Sequence, residues 1–476
     1  MTSEQGLRHN CICFLVLSVL FSSLISCDLF SYVAGDKGEI QDNINSTDDN
    51  TPSNKQKEYV SEYLREWGMP LFDKIKFKYF EDCFIQLYNY ESGMPETLTH
   101  AKKTADLFMR GYYDSIDVNN KTAVTDALLD CYVSALDDPY AFYRPPVETE
   151  DYMTDMSGKF GGIGVMVEYN DQDETIMVNT VYPGSPAEQA GIKVGDYFYS
   201  VDGKTVEELG YTNAVNYVRG EIGTSVTLVM IRDGEKVTVT AIRAEVEELN
   251  VVYEIDTEKN IGYVQIVAFK ENTFPQFKEA IDSLETAGVK GIVFDLRNNP
   301  GGYVDSVLAV ISYLVPDGKP VMSYQYKGYA ENVLYSKDEG EDHQIDLPCV
   351  VICNQYTASA GEIFTAAMRD YRNAGEMDAT VVGVNTYGKG IMQSSYYYPL
   401  DKSTVTFTVA YYKPPYADNY HGIGVIPDVV VEIENNVDTQ YEAAVNELQK
   451  LISANIRFRR KNNGTEDLYT GWLRRS

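Results

Sequence analysis

The sequence predicts an α/β (α+β multidomain) protein: a domain of mixed strands and helices, preceded by a small β-rich domain and a helical one. Three patterns predict it. From about Val246 to Val431, strand-length apolar runs alternate with helix-length amphipathic segments. From about Ser157 to Glu245, short strands are punctuated by glycine turns, and from about Tyr59 to Pro146 apolar residues recur at helical spacing. At 476 residues the chain is too long for one small core.

Residues 1–27 read as a secretion leader. Ile12 to Ile25 (ICFLVLSVLFSSLI) is an apolar run preceded by Arg8 and His9. It falls short of the about 20 residues of a membrane span and suits a signal-peptide core. It ends in Leu24-Ile25-Ser26-Cys27, which resembles a bacterial lipobox. That resemblance implies a lipid anchor on Cys27, tying the protein to a membrane of the cell envelope outside the cytoplasm. An uncleaved anchor helix and plain secretion are the alternatives. From about Gly35 to Lys57 the chain is polar and aperiodic, so residues 28–57 read as a flexible tether reaching roughly 25–30 Å as a coil.

Loss of the leader removes Cys11 and Cys13, and lipidation would occupy Cys27. Of the rest, Cys349 and Cys353 sit four positions apart in an apparent buried strand, ~13 Å along it and beyond disulfide reach. They are expected to be core thiols; a Cys83–Cys131 pair stays open. The formal net charge of −31 argues against nucleic acid or an anionic membrane face as the main partner, since both would repel it.

In the helical domain, 58–150, Leu98, Ala101, Ala105, Phe108 and Met109 mark one amphipathic face, and the prolines between Asp137 and Pro146 end it. The β-rich domain, 157–245, opens with Gly161-Gly162-Ile163-Gly164-Val165 leading into a strand, followed by a strand at Thr175–Val181. Ser185 is the expected N-cap of a helix, with Pro186 first, Glu188 completing a capping box and Gly191 as the stop. A helix at Tyr211–Arg219 and a hairpin turning at Asp233-Gly234 finish it. The third domain, 246–432, has strand candidates at Ile261–Val267, Gly291–Leu296, Cys349–Asn354, Thr380–Val384 and Thr404–Val409. Its helices fall at Thr273–Ala287, Tyr303–Leu314 and Ala360–Arg369. A last helix, Gln440–Ala454, lies in the segment 433–476, which ends in basic runs.

Three constellations carry chemistry. Around Gly161 to Val165, glycines before a strand let backbone N–H groups meet a peptide carboxylate while the peptide adds as a further strand. In Tyr356-Thr357-Ala358-Ser359-Ala360-Gly361-Glu362, Ser359 stands where a buried strand gives way to a helix. Ser359 and Glu362 alone make a capping box, but the same place suits a nucleophile, with the Ala360 N–H and the positive helix end facing an oxyanion. A serine needs a base. His9, His100, His343 and His421 bring no serine-nucleophile motif with them, and neither GxSxG nor HExxH occurs. Lys389, in Thr386-Tyr387-Gly388-Lys389-Gly390-Ile391-Met392-Gln393, can serve if its amine is neutral, and the Gln393 amide four residues on can orient it without adding charge. Asp295-Leu296-Arg297-Asn298-Asn299-Pro300-Gly301-Gly302 follows a strand and offers further N–H groups. No cofactor or metal is called for.

GGIGV together with GSPAEQAGIKVGDYFYSVDG resembles a PDZ domain of the kind attached to bacterial proteases. The resemblance implies that Ile163, Val165, Val215 and Val218 line its side-chain pocket. The order of this unit, DLRNNPGG, TASAGE, YGKGIMQ and HGIGVIPD resembles the carboxyl-terminal processing peptidases, or tail-specific proteases, over about Asp137 to Val431. It implies a crotonase-like ββα peptidase domain in which Ser359 is the nucleophile, Lys389 the general base and Gln393 its orienting residue. Ala360 with Gly301 or Gly302 would form the oxyanion hole, and Glu362 matches a further family position. Substrates would be proteins or peptides with exposed C-termini. The segment Tyr416 to Tyr420 departs from the family's glycine- and arginine-containing element, which bears on substrate preference. A scaffold that binds peptides without turnover is the other function the pattern allows, although it would need none of Ser359, Lys389 and Gln393.

Overall fold

A computed structural model describes residues 71–88, 120–136, 138–170, 174–337, 345–433 and 437–454. The leader, Cys27, the tether, the face from Leu98 to Met109 and the basic end lie outside these residues. The described residues fall into two units: those up to Thr149 together with Gln393–Val409, and Glu150–Met392 together with those from Ala410.

In the first unit, helices Leu71–Leu87 and Lys121–Ser134 bury Phe77, Phe80, Phe84, Leu128, Leu129 and Tyr132, with Phe77 and Phe84 packed on the Tyr132 ring. Asn120 caps the second helix by accepting the Ala123 N–H at 3.2 Å. The segment Gln393–Val409 joins this core: Phe407 packs on Phe84 with ring centroids 4.7 Å apart, and Phe142–Arg144 pairs with Thr404–Thr406. Lys76 is 1% exposed and lies 3.0 Å from Asp126 and 2.9 Å from Asp401. Tyr143 donates to the same Asp126 carboxylate at 2.6 Å. Removing only the cation strands two carboxylates, so Lys76→Met is expected to lower stability by about 3–5 kcal/mol. The denaturant midpoint of the purified protein reads it, and an unchanged midpoint would show the pairs to be dispensable.

The second unit contains a small sheet whose order is Val165–Asn170, Thr175–Val181, Tyr197–Val201, Ser225–Arg232, Glu235–Ile242, around a core including Ile176, Val178, Phe198, Leu228 and Met230. Among the described residues the Val165–Asn170 strand is an edge. Ser185 caps the short helix Pro186–Gln189 as expected. The Glu188 carboxylate, however, takes the Gly184 N–H at 2.7 Å, because the Ser185 N–H is already spent on the Tyr182 carbonyl.

Its larger sheet orders the strands Val251–Asp256, Ile261–Ile266, Ile292–Asp295, Cys349–Cys353, Ala379–Gly383 and Val429–Val430. The first pair is antiparallel and the others are parallel. Alternation along these strands feeds two cores. Phe294, Val351 and Val381 pack with helices Thr273–Ala287, Val304–Ser312 and Ala360–Asn373. Val293, Val350, Ile352 and Val382 pack with Ala444, Leu448 and Ile452 of the helix 439–454. Cys349 and Cys353 are buried free thiols, pushed up to about 12 by burial. Asp295 pairs with Ile352 and Cys353 with Gly383. Three adjacent parallel strands therefore end side by side, and the chain leaving their carboxyl ends carries DLRNNPGG, TASAGE and YGKG. That is where open α/β sheets place ligands.

Candidate active site

Buried side chains tie the first of these turns to its neighbours. Asp295, 1% exposed, accepts from Tyr263 Oη at 2.9 Å and from the Arg297 backbone N–H at 2.9 Å. Arg297 also reaches Asp438, at 2.7 and 2.9 Å, ahead of the C-terminal helix. Asn298 and Asn354 exchange bonds of 3.0 and 2.9 Å between two turns. Asn299, fully buried, donates to the Ile266 carbonyl and accepts the Gly301 N–H, each at 2.8 Å. Its own carbonyl takes the Ala358 N–H at 2.9 Å, which draws Gly301 against the serine. A Cβ at Gly301 would lie 2.7 Å from Ser359 Cβ, and φ there is +102°, so only glycine fits.

Ser359 has φ +52° and ψ −117°, an unusual backbone for a residue with a side chain. The turn is held from both ends. Thr357 Oγ1 donates to the Leu296 carbonyl at 2.8 Å, and the Ser359 carbonyl takes the Glu362 and Ile363 N–H groups at 2.9 Å each. Ala360 then starts the helix Ala360–Asn373 with its N–H ahead of the helical bonds.

Glu362 joins the pieces. Fully buried, its Oε2 accepts the N–H of Ser359 at 2.9 Å and of Lys389 at 2.8 Å. Its Oε1 accepts from Gly388 N at 2.7 Å and Thr386 Oγ1 at 2.5 Å. Burial pushes the carboxyl up from its ordinary value, against the pull of these donors. One carboxylate thus binds the backbones of both Ser359 and Lys389. Tyr387 N–H adds a bond of 3.0 Å to the Thr357 carbonyl, and Tyr356 and Tyr387 stand exposed on the two joined loops. Gln393 lies in the first unit, where its amide nitrogen donates to Thr408 Oγ1 at 3.2 Å.

In the small sheet's domain, Gly161 and Gly162 pair with Glu245 and Ala244, and Gly164 has φ +78°. A Cβ on Gly164 would sit 2.5 Å from Ser185 Cβ, so this glycine answers to the domain's own packing. Val165 and Val215 are half-buried. Ile163 and Val218, read from the sequence as pocket lining, have their side chains in the core at 1% and 7% exposure.

The roles of Asn299 and Asn354 in tying these turns together have no mark in the sequence, because side-chain bonds to backbone groups leave no periodic trace.

Residues 260–431 match the model of peptidase family S41, and residues 177–232 match that of the PDZ domain. Carboxy-terminal processing protease CtpA of Bacillus subtilis is 33% identical over 69% of this chain and 68% of its own length. A probable CtpA-like serine protease of Staphylococcus haemolyticus is 34% identical over 66% and 61%. The solved photosystem II D1 C-terminal processing protease aligns with 83% of this chain and 97% of its own at 23% identity and a TM-score of 0.44. With its small domain, its three motifs and this kinship, the chain belongs to peptidase family S41, the carboxy-terminal processing serine proteases.

Proposed function

We propose that this protease works by a serine–lysine mechanism, with Ser359 as nucleophile and Lys389 as general base. The observation that carries this is the shared Glu362 oxygen, at 2.9 and 2.8 Å from the two backbone nitrogens. The Lys389 amine takes the Ser359 Oγ proton as Oγ bonds the peptide carbonyl carbon, and the C=O electron pair moves onto oxygen. The N–H of Ala360 and of Gly302 stabilise that oxyanion. Gly301 was an equal candidate, but its N–H is taken by Asn299. The ammonium then protonates the leaving nitrogen as the C–N bond breaks. A water, giving its proton to the amine, hydrolyses the ester, and Ser359 Oγ recovers a proton. Gln393 orients the lysine, a role supported only by its spacing. A fluorophosphonate probe is expected to label the native chain and not Ser359→Ala; equal labelling of both would remove the reading.

The PDZ domain serves to bind the free C-terminal ends of protein substrates of the cell envelope. The open edge of Val165–Asn170 supports this, since a peptide adds there as a strand. Replacing Gly164 would disturb the domain itself, so the peptide is the better probe. Amidating an apolar C-terminal peptide removes charge-assisted bonds worth about 1.5–3 kcal/mol, and binding should weaken roughly 10- to 100-fold. Equal titration curves for the free and amidated peptides would rule out carboxylate recognition.

Cys27 carries the lipid anchor in this reading, supported by the LISC sequence. Among the described residues no helix is long and apolar enough to cross a membrane. Cys27→Ser is expected to abolish incorporation of labelled fatty acid and to release the protein from membranes or stop its processing. Undiminished labelling would refute the anchor.

A further inference from the structure

Glu362 holds one side of the lysine loop, and a different set of residues holds the other. The Lys389 carbonyl accepts from the Tyr412 hydroxyl. Gly390 N–H donates to His421 Nδ1 at 3.3 Å, and the Gly390 carbonyl accepts from Asn419 Nδ2 at 2.7 Å and from Tyr412 N at 3.3 Å. Asn419 is itself fixed, with Oδ1 accepting the His421 N–H at 2.7 Å and Nδ2 also donating to the Tyr412 carbonyl. With the Lys389 N–H on Glu362, every backbone donor and acceptor of Lys389 and Gly390 has a partner. The clamp is close: a Cβ at Gly390 would lie 2.8 Å from Asn419 Nδ2 and from His421 N. Asn419 belongs to the stretch Tyr416 to Tyr420, where the sequence leaves its family's pattern.

We propose that Asn419 and His421 are positioning residues for the general base. This rests on the serine–lysine reading. Lysine carries its amine on a flexible four-carbon stem, so a wandering backbone would add to the freedom of the side chain. A misplacement of about 1 Å at a reacting group can cost about 100-fold in rate. Glu362 fixes the backbone before and at Lys389; Asn419, His421 and Tyr412 fix it after. Accepting the Gly390 N–H requires His421 Nδ1 to be without a proton, which leaves the neutral ring its hydrogen on Nε2.

The test is steady-state peptide cleavage by the full chain at a pH on the activity plateau. Asn419→Ala and His421→Ala are expected to lower kcat about 10- to 100-fold while KM stays within about twofold, the pattern of a disturbed chemical step. His421→Asn, whose Oδ1 stands near the place of Nδ1, should recover most of kcat, whereas His421→Leu, of similar bulk without an acceptor, should not. That comparison stays readable if alanine loosens the fold. Values of kcat within twofold of native for both alanine variants, or no advantage of His421→Asn over His421→Leu, would overturn the proposal. Lys389→Ala separates the two readings. If it is inactive while the clamp variants are fully active, only the positioning role fails; if it cleaves normally, the base assignment fails and the clamp falls with it.

Discussion

Replacing Lys389 by arginine is expected to abolish peptide cleavage as completely as replacing it by alanine, although the positive charge is kept. A base must be able to lose its proton. An ammonium can do so when its surroundings disfavour charge, but a guanidinium stays protonated at any pH the fold survives. General-base catalysis contributes about 100- to 10,000-fold, so both variants should fall by at least that order. The native enzyme should gain activity with rising pH along one limb, because the amine becomes competent only as it deprotonates. Gln393→Ala should hurt less than either, since in the proposed mechanism it orients the base without carrying the proton. Cleavage by purified variants from about pH 5 to about pH 10 provides the measurement. Near-native turnover by Lys389→Arg would eliminate the mechanism and return attention to the histidines.

Ser359 was legible because CVVIC is an unbroken apolar run and ASAGE begins a helix, so the serine fell at a junction that two local patterns define. Lys389 had no such local mark; its place emerged only from the order of the motifs along the chain. The helix Thr273–Ala287 was read to its ends because its apolar face is periodic and Gly288 stops it in the left-handed region. By contrast, Pro320–Tyr326 and Asn332–Tyr335 pair as a hairpin that sequence reading passed over, since their mixture of tyrosine and polar residues lacks a strand's apolar alternation. Nor does the sequence indicate that Gln393–Val409 shares a unit with the helices of the first 149 residues. The bond from Thr408 N to Asp138 at 3.0 Å spans 270 positions. Lys76 was equally hidden, because a lysine is buried only when distant carboxylates meet it, and Asp401 is 325 residues away in the chain. The choice between Gly301 and Gly302 turned on one side-chain bond from Asn299, which no pattern announces.

Glu362→Gln, a change of one atom, is expected to cost more activity than most larger changes in the site. The native carboxylate meets four donors and offers two acceptor oxygens: Ser359 N and Lys389 N on one, Gly388 N and Thr386 Oγ1 on the other. Glutamine keeps one acceptor oxygen and turns an NH2 toward the other pair. Either orientation sets donors against donors, and at least one backbone N–H of the catalytic loops is left unsatisfied. Each buried polar group without a partner costs about 1–3 kcal/mol. One or two stranded donors therefore imply roughly 1–6 kcal/mol of stability, unless the loops part to admit water. Parting them separates Ser359 from Lys389, so kcat should drop at least about 100-fold. Glu362→Asp keeps both oxygens on a shorter stem and should retain part of the activity if the loops can close on it. Thermal melts and kcat measured side by side distinguish the outcomes. A Glu362→Gln variant with native melting and native kcat would show that the four bonds are not what holds Ser359 and Lys389 together.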